Sequence, residues 1–457
     1  MVSSYTSHLF FLDAMRLRLF FLCGLVLLPA ACDVVDQVGG KVHEQIAQAE
    51  LDAFAELLLE RITPLAQEEE EGYYGKRIDG MWDREYVAER LREAGLLGDG
   101  SVREELEPYE VQLLEEAENE LYEEGPDGEP QLEIGASFMN PHWFSATHYS
   151  GTTRVLRTYL EGDKGHILLR VFDTWGQVGY YDILIGKRDD KLWLHDVFLY
   201  RHGETLLHHQ VGYLFYQTGT SLFDRRHNIE QGDLSWENEL LYPSDLSMAV
   251  LGSVRWVDDD GERFSRLKKY ISNDPYIWTS RLHEYKVDAP RFRVWIQETE
   301  EAFPGNPAIP FLALKYHAFD FWRGGDPSML DSLVNVVEAH LGAKDAYLDV
   351  YRALTWAQEG RYKEAIARLK ALQLEYPELT EPLLHEVYLY MQAQDGYNLT
   401  DALRRAFELD PYFSNHFHIR REWYPGYWDT PEAKALVAEQ DRWLEREVQN
   451  QMEEGGF

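Results

Sequence analysis

Of 457 residues only two are cysteine, Cys23 and Cys32, so nothing beyond position 32 carries a thiol. A disulfide framework, a thiolate nucleophile and a Cys-based metal site are therefore excluded from the body of the chain. Basic residues are scarce as well: 44 Lys plus Arg stand against 80 Asp plus Glu, a formal charge of −36. A chain this acidic repels phosphates at long range, which argues against nucleic acid as a partner and against docking on anionic headgroups through a basic patch. The apolar run Leu19 to Leu28 holds ten residues, half of the roughly 20 that a membrane-spanning helix needs. Several catalytic signatures are missing too. His283 and His385 are each followed by Glu, but Val287 and Leu389 stand where a second His would close on zinc. The chain has no G-x-S-x-G, G-x-x-x-x-G-K or G-x-G-x-x-G, and Asp258 to Gly261 lacks the alternating ligands of a calcium loop. What remains is a globular composition, 45% hydrophobic and 27% charged, long enough for two or three domains.

The first 31 residues read as a leader. Arg16 and Arg18 precede the apolar run, and Pro29, Ala30, Ala31 and Cys32 follow it. A charged start, a short apolar middle and small residues at a cleavage point define a signal peptide. The segment resembles a bacterial lipoprotein signal, with Pro29 where Leu is usual. The resemblance implies cleavage before Cys32, lipidation of that Cys, and a body facing the periplasm. An ordinary secretory signal cleaved after Ala31 is the alternative. Asp13 and the polar residues before it fit a leader poorly, so translation is expected to start at Met15. Asp33 does not decide between inner and outer membrane.

Residues 32–42, with Gly39 and Gly40, read as a tether. From Glu50 to Pro130 there are 26 acidic and 7 basic residues, a net of −19, more than half of the whole charge. Glu68 to Glu71 reads as a solvated loop. Apolar spacing predicts helices over Val42 to Ile62, Arg84 to Ala94 and Val111 to Tyr122. At Gly125 to Gly128 the period falls to two. Strands are predicted at Thr152 to Leu160, His166 to Phe172, Val178 to Gly186 and Leu192 to Tyr200, joined by turn-rich pieces and so forming an antiparallel meander. Helices followed by a curved meander make an α+β domain over residues 43–201. Its order, with VGYYDILIGKRDDKLWLHDVFLYRHGE as the clearest stretch, resembles the nuclear-transport-factor-like (cystatin-like cone) fold. That fold hosts small-molecule isomerases and catalytically silent domains alike.

From Glu204 onward the pattern is helical, with residues 202–290 as a connecting region and 291–457 as an all-α domain. Here Trp356 aligns with Tyr390, Ala353 with Val387, Leu369 with Leu403, Leu372 with Ala406 and Pro377 with Pro411, each pair 34 residues apart. The stretch GRYKEAIARLKALQLEYP resembles the tetratricopeptide repeat (TPR), with Gly360 and Tyr362 at the turn, Ala365 at the helix crossing and Pro377 closing the unit. The second copy departs from it at Leu399 and in the turn QDGYNLT. Helices over Ile309 to Trp322 and Pro327 to Leu341 supply a third unit, the latter capped by Asp326 before Pro327. Pro431 to Val448 reads as a solvated closing helix. The expected architecture is thus an α+β N-terminal domain followed by an all-α, TPR-like helical solenoid.

Two candidate sites follow. In the α+β domain, Tyr180, Asp182, His195 and Asp196 are the pocket candidates; a buried carboxylate there would be a general base with a raised pKa. His195 and Asp196 are adjacent on a strand and so face opposite ways. In the helical domain the repeat resemblance implies a peptide groove lined by the first helix of each unit. Carried onto this chain it names Tyr347, Val350, Leu354, Ala357 and Gln358, then Glu381, Leu384, Tyr388, Met391 and Gln392. Setting aside the aliphatic positions as core leaves Tyr347, Gln358, Glu381, Tyr388 and Gln392. His208 and His209 diverge by about 100° on a helix, and His416, His418 and Glu422 make no defined site, so neither metal nor cofactor is inferred. The sequence reads as a non-enzymatic, lipid-anchored envelope protein that binds a protein or peptide. The alternative is an isomerase-like or small-molecule-binding pocket in the cone.

Overall fold

The computed structural model describes residues 45–62, 78, 80–93, 122–124, 130–132, 153–172, 178–208, 275–283, 289–321, 325–377, 379–409 and 424–454. Cys32 and its leader, Glu68 to Glu71, the body of the helix expected from Val111, the Asp258 to Gly261 turn, and His416 with His418 lie outside the described residues.

Among the described residues, α1 (Gln48–Ile62) and α2 (Arg84–Glu93) precede the strands. The first starts six residues later than its apolar spacing predicts. Glu50 explains the boundary: its carboxylate accepts the backbone N–H of Ala47 at 3.0 Å, an acidic first-turn group closing the helix start. Tyr122, expected to end a helix, instead opens β1 (Tyr122–Glu124), which pairs antiparallel with β2 (Pro130–Leu132) across the Gly-Pro-Asp-Gly stretch.

The meander is present. Strands β3 (Arg154–Glu161), β4 (Lys164–Phe172), β5 (Val178–Arg188), β6 (Lys191–Leu199) and β7 (Glu204–Thr205) form one antiparallel sheet in sequential order. Asp189 and Asp190 both take positive φ (53° and 58°), the two-residue turn whose twist suits a tight hairpin between β5 and β6. The short β7 departs from the helical reading after Glu204; Gly203, at φ +72°, turns the chain back onto Phe198 and Leu199.

Strand β4 shows how the sheet is buried. Its odd positions, Ile167, Leu169 and Val171, pack with Leu51, Ala55 and Leu58 of α1 and Val87 and Leu91 of α2. Its even positions Leu168 and Phe172 pack the opposite way, with Val178, Tyr180 and Tyr200, against the helical region. A strand covered on both faces reads as a near-continuous apolar run, and in HILLRVF only His166 and Arg170 interrupt it. Each buried Leu or Ile contributes roughly 1.5–3 kcal/mol relative to exposure. Just before α2, Trp82 makes a parallel bridge to Leu194. Asp83 N–H donates to Leu194 O (2.9 Å) and Leu194 N–H donates to Met81 O (2.8 Å), so this segment caps part of the β6 edge.

The C-terminal part is helical: α3 (Pro275–Ser280), α4 (Ala289–Ala302), α5 (Ala308–Phe321), α6 (Leu330–Leu341), α7 (Asp349–Gln358), α8 (Tyr362–Glu375), α9 (Thr380–Gln392), α10 (Gly396–Leu409), α11 (Pro425–Trp428) and α12 (Pro431–Glu454). Consecutive helices from α4 to α10 are packed neighbours. Asp326 caps as expected, accepting Ser328 N–H at 2.9 Å, although the first turn, Pro327–Met329, is a 3₁₀ turn that leads into α6. Gly342, at φ +59°, ends α6 in the left-handed conformation that glycine tolerates best. The final helix runs six residues beyond its expected end.

Candidate functional site

The four pocket candidates do not meet. Tyr180 and Asp182 lie on the face of β5 that looks toward the helical region, while His195 is turned away from it. The cause is a β-bulge: Leu184 pairs with Asp196 and Ile185 with Leu194, leaving His195 as the extra residue on β6. Its ring stacks on Tyr86 of α2 (4.0 Å, 13°) and lies so close over Gly186 that a Cβ there would sit 1.9 Å from the imidazole. Nε2 is 3.4 Å from the Asp83 carboxylate, and Nδ1 is buried without a partner. Burial pushes the His195 pKa down despite the pull of Asp83. Asp83 also caps α2 through Tyr86 N–H at 3.0 Å.

Asp196 is buried and accepts the backbone N–H of Val197 (2.7 Å) and of Leu207 (3.1 Å). Burial pushes its pKa up to about 6 even so. The raised carboxylate expected for a general base is therefore present, but it tethers the β6–β7 return. Asp182 is held twice on its own face: Tyr159 O–H donates to one oxygen, and the other lies 3.2 Å from His166 Nδ1. The Tyr159 and His166 rings stack at 4.6 Å.

Tyr180 leads to a buried polar cluster. Its O–H donates to Asp345 Oδ2 at 2.8 Å, and Arg170 Nη1 donates to Asp345 Oδ1 at 2.6 Å. Arg170 and Asp345 are 1% and 2% exposed. The other guanidinium nitrogen, Nη2, donates to Tyr376 Oη at 2.7 Å, and the guanidinium lies 4.8 Å from the centre of the Tyr376 ring. Asp345 also caps the 3₁₀ turn Ala346–Leu348 by accepting Tyr347 N–H at 3.0 Å. Burial lowers the Arg170 pKa, yet Asp345 and Tyr376 outweigh it and the net shift is upward. Burial, then Asp345, drives the Tyr180 hydroxyl well above its ordinary pKa. The cluster joins strands β4 and β5 to chain about 175 residues later.

The groove candidates divide. Tyr347 is fully buried, with its ring edge-on to Phe172 at 4.6 Å and its O–H donating to Glu381 Oε2 at 2.7 Å. Glu381 lies 3.8 Å from His385 Nε2; burial raises its pKa, but His385 and Tyr347 outweigh that and hold it below the usual carboxylate value. Tyr388 is buried within α9, a helix covered on every side from Pro382 to Met391. Gln358 is exposed and donates to Asp326 Oδ1 at 2.8 Å, and Gln392 is partly buried at the end of α9. Thus Tyr347 and Glu381 are brought together, Tyr388 is core, and Gln358 and Gln392 stand toward solvent.

Sequence reasoning passed over Arg170, Asp345, Tyr376, Asp83, Tyr159 and His166. One signal was available: an Arg inside an otherwise apolar strand must find a buried partner. Among the described residues no group of three or more His, Cys, Asp or Glu is placed to hold a metal ion, and no helix is long and apolar enough to cross a membrane. Comparison with protein-family profiles, curated proteins and solved structures returns no match to this chain.

Proposed function

We propose that the protein is a non-enzymatic scaffold of the bacterial envelope, held by a lipid on Cys32, facing the periplasm, and binding a protein or peptide through a TPR-like helical array. The observation that carries the array is positional. Helices α8 and α10 start 34 residues apart, and Ala353 with Val387, Leu369 with Leu403, and Leu372 with Ala406 are buried at matching places. Stacked helix pairs of this period bury a shared core and leave elongated surfaces for partners. The isomerase-like reading needs an acid or base free to act in an open cavity. Here Tyr180, Asp182, His195 and Asp196 are spread over two faces of a sheet packed on both sides, each engaged with a neighbour. We therefore favour the scaffold.

Deleting residues 291–457 would bare Leu168, Phe172 and Tyr180, so the test uses the full chain. A photo-crosslinking residue replaces Gln358 or Gln392 in intact cells. The reading expects both positions to yield an adduct of the same mass with one envelope protein. No protein adduct at either position would sink it. The anchor is tested separately: C32S should stop palmitate incorporation and move the protein to the soluble fraction, and retention in membranes would refute lipidation at Cys32.

A further inference from the structure

Residues 81–93 lie against the sheet as a strap with few holding points. Leu194 N–H donates to Met81 O at 2.8 Å, and Asp83 N–H donates back to Leu194 O at 2.9 Å. Of the ten residues of α2, three are buried, Val87, Ala88 and Leu91. A helix of that length has no stability of its own once such contacts are lost, and segments held this way open ahead of the global fold. His195 sits where the strap meets the bulge. Its ring is stacked on Tyr86 at 4.0 Å, and Nε2 is 3.4 Å from Asp83 Oδ2. The other Asp83 oxygen accepts the Tyr86 N–H at 3.0 Å and lies 3.0 Å from Arg188 Nη1, so that carboxylate is already shared. Glu85 on α2 takes a second contact from the same guanidinium. From β4, Lys164 Nζ comes within 5.9 Å of the centre of the Tyr86 ring.

The neutral imidazole suits this place and the cation does not. With its proton on Nε2, directed at Asp83, the ring leaves at Nδ1 a buried lone pair that has no partner among the described residues. A second proton would put a charged N–H donor there with nothing to accept it, the costlier kind of unpaired group. It would also add a positive charge near Lys164 and Arg188. Burial first, with these two cations behind it, outweighs the pull of Asp83 and holds the His195 pKa below its ordinary value.

We propose that residues 81–93 form an acid-released strap: protonating His195 favours a state in which the strap leaves the sheet, the imidazolium gains water, and Trp82 and the β6 edge at Leu194 are bared. A proton shifts this equilibrium because it binds the open state better than the closed one. The strap is held fully above about 6.5, the ordinary histidine value, and its hold weakens as pH falls below that. Asp196, next along β6, responds the opposite way: its carboxyl favours the protonated form, with a pKa raised to about 6, so it opposes release and cannot stand in for the histidine. The strap neither needs nor implies the scaffold reading.

The test is amide hydrogen exchange of the full chain at pH 7 and at pH 5, expressed as protection factors so that the intrinsic pH dependence of exchange drops out. Wild type should lose about tenfold in protection at Asp83, at Leu194 and along α2, the order of change that one histidine returning to its ordinary pKa supplies. Ile167 and Leu169 in β4 should keep their protection. H195Q, which cannot gain the proton, should show no loss at the strap. Flat protection in wild type, an equal loss in H195Q, or a parallel loss in β4 overturns the proposal. If H195Q is unfolded by circular dichroism, the wild-type imidazole is titrated by NMR. Strap opening that tracks the His195 titration supports the proposal, and a midpoint more than about one pH unit away overturns it.

Discussion

The two faces of the five-stranded sheet are buried by different chemistry. Toward α1 and α2 the contact is carried by side chains such as Leu51, Leu58, Val87, Ile167, Leu169 and Ile183. Toward the helical region an apolar surround encloses a polar key, Arg170 with Asp345, Tyr180 and Tyr376. An apolar contact is non-directional and asks only for volume and pattern. The polar key asks for specific atoms in specific places, and its failure leaves a charge stranded. The first face holds elements together, and the second decides which elements and in what register.

The largest expected effect breaks the second face. R170A leaves Asp345 buried with its cation gone and should cost about 3–5 kcal/mol in urea unfolding. L169A, on the first face, removes apolar volume and should cost about 2–4 kcal/mol by the same measurement. Y180F removes one donor to a charged acceptor and should cost on the order of 2 kcal/mol. A Y180F cost near zero would show that Asp345 needs no more than its arginine.

How much of this was legible in the sequence follows the same division. Period two and turn-rich breaks located the four long strands, although β4, covered on one face by α1 and α2 and on the other by the helical region, reads as a near-continuous apolar run rather than an alternation. Helices α7 to α10 were legible for a similar reason: positions such as Leu369 and Leu403 recur at helical spacing and are buried. The β6 bulge was invisible, since nothing in LWLHDVFL marks His195 as the extra residue, and so the expected meeting of His195 or Asp196 with Tyr180 or Asp182 did not occur. Asp345 was equally hidden. Its role depends on a strand lying about 175 residues earlier, which no local pattern reports. Tyr347 and Tyr388 were not seen to be buried, because the sheet and the fully covered α9 are tertiary facts.

Smaller effects sharpen the contrast near α2. The Asp196 pKa is raised to about 6, so the favourable protonated state is fully present below the ordinary value near 3.8 and is lost as pH rises through about 6. D196N should remove that loss, raising stability at pH 7 relative to wild type by on the order of 2 kcal/mol, with little gain at pH 4. His195 has the opposite slope: its lowered pKa favours the neutral form, whose stabilisation is present above about 6.5 and declines as pH falls below it. H195Q should flatten that decline, read as hydrogen exchange of the α2 amides between pH 7 and pH 5. Unchanged exchange profiles would show that the bulge residue is a passive filler.

The central claim is that one buried ion pair joins the sheet to the helical region into a single cooperative body. The most direct measurement is a double-mutant cycle on full-length protein: R170A, D345A and the pair, each unfolded in urea. The account predicts that the double variant is less destabilised than the two singles together, with a coupling of about 2–3 kcal/mol, and one transition for wild type. Additive single effects, or two separate wild-type transitions for sheet and helices, would contradict it.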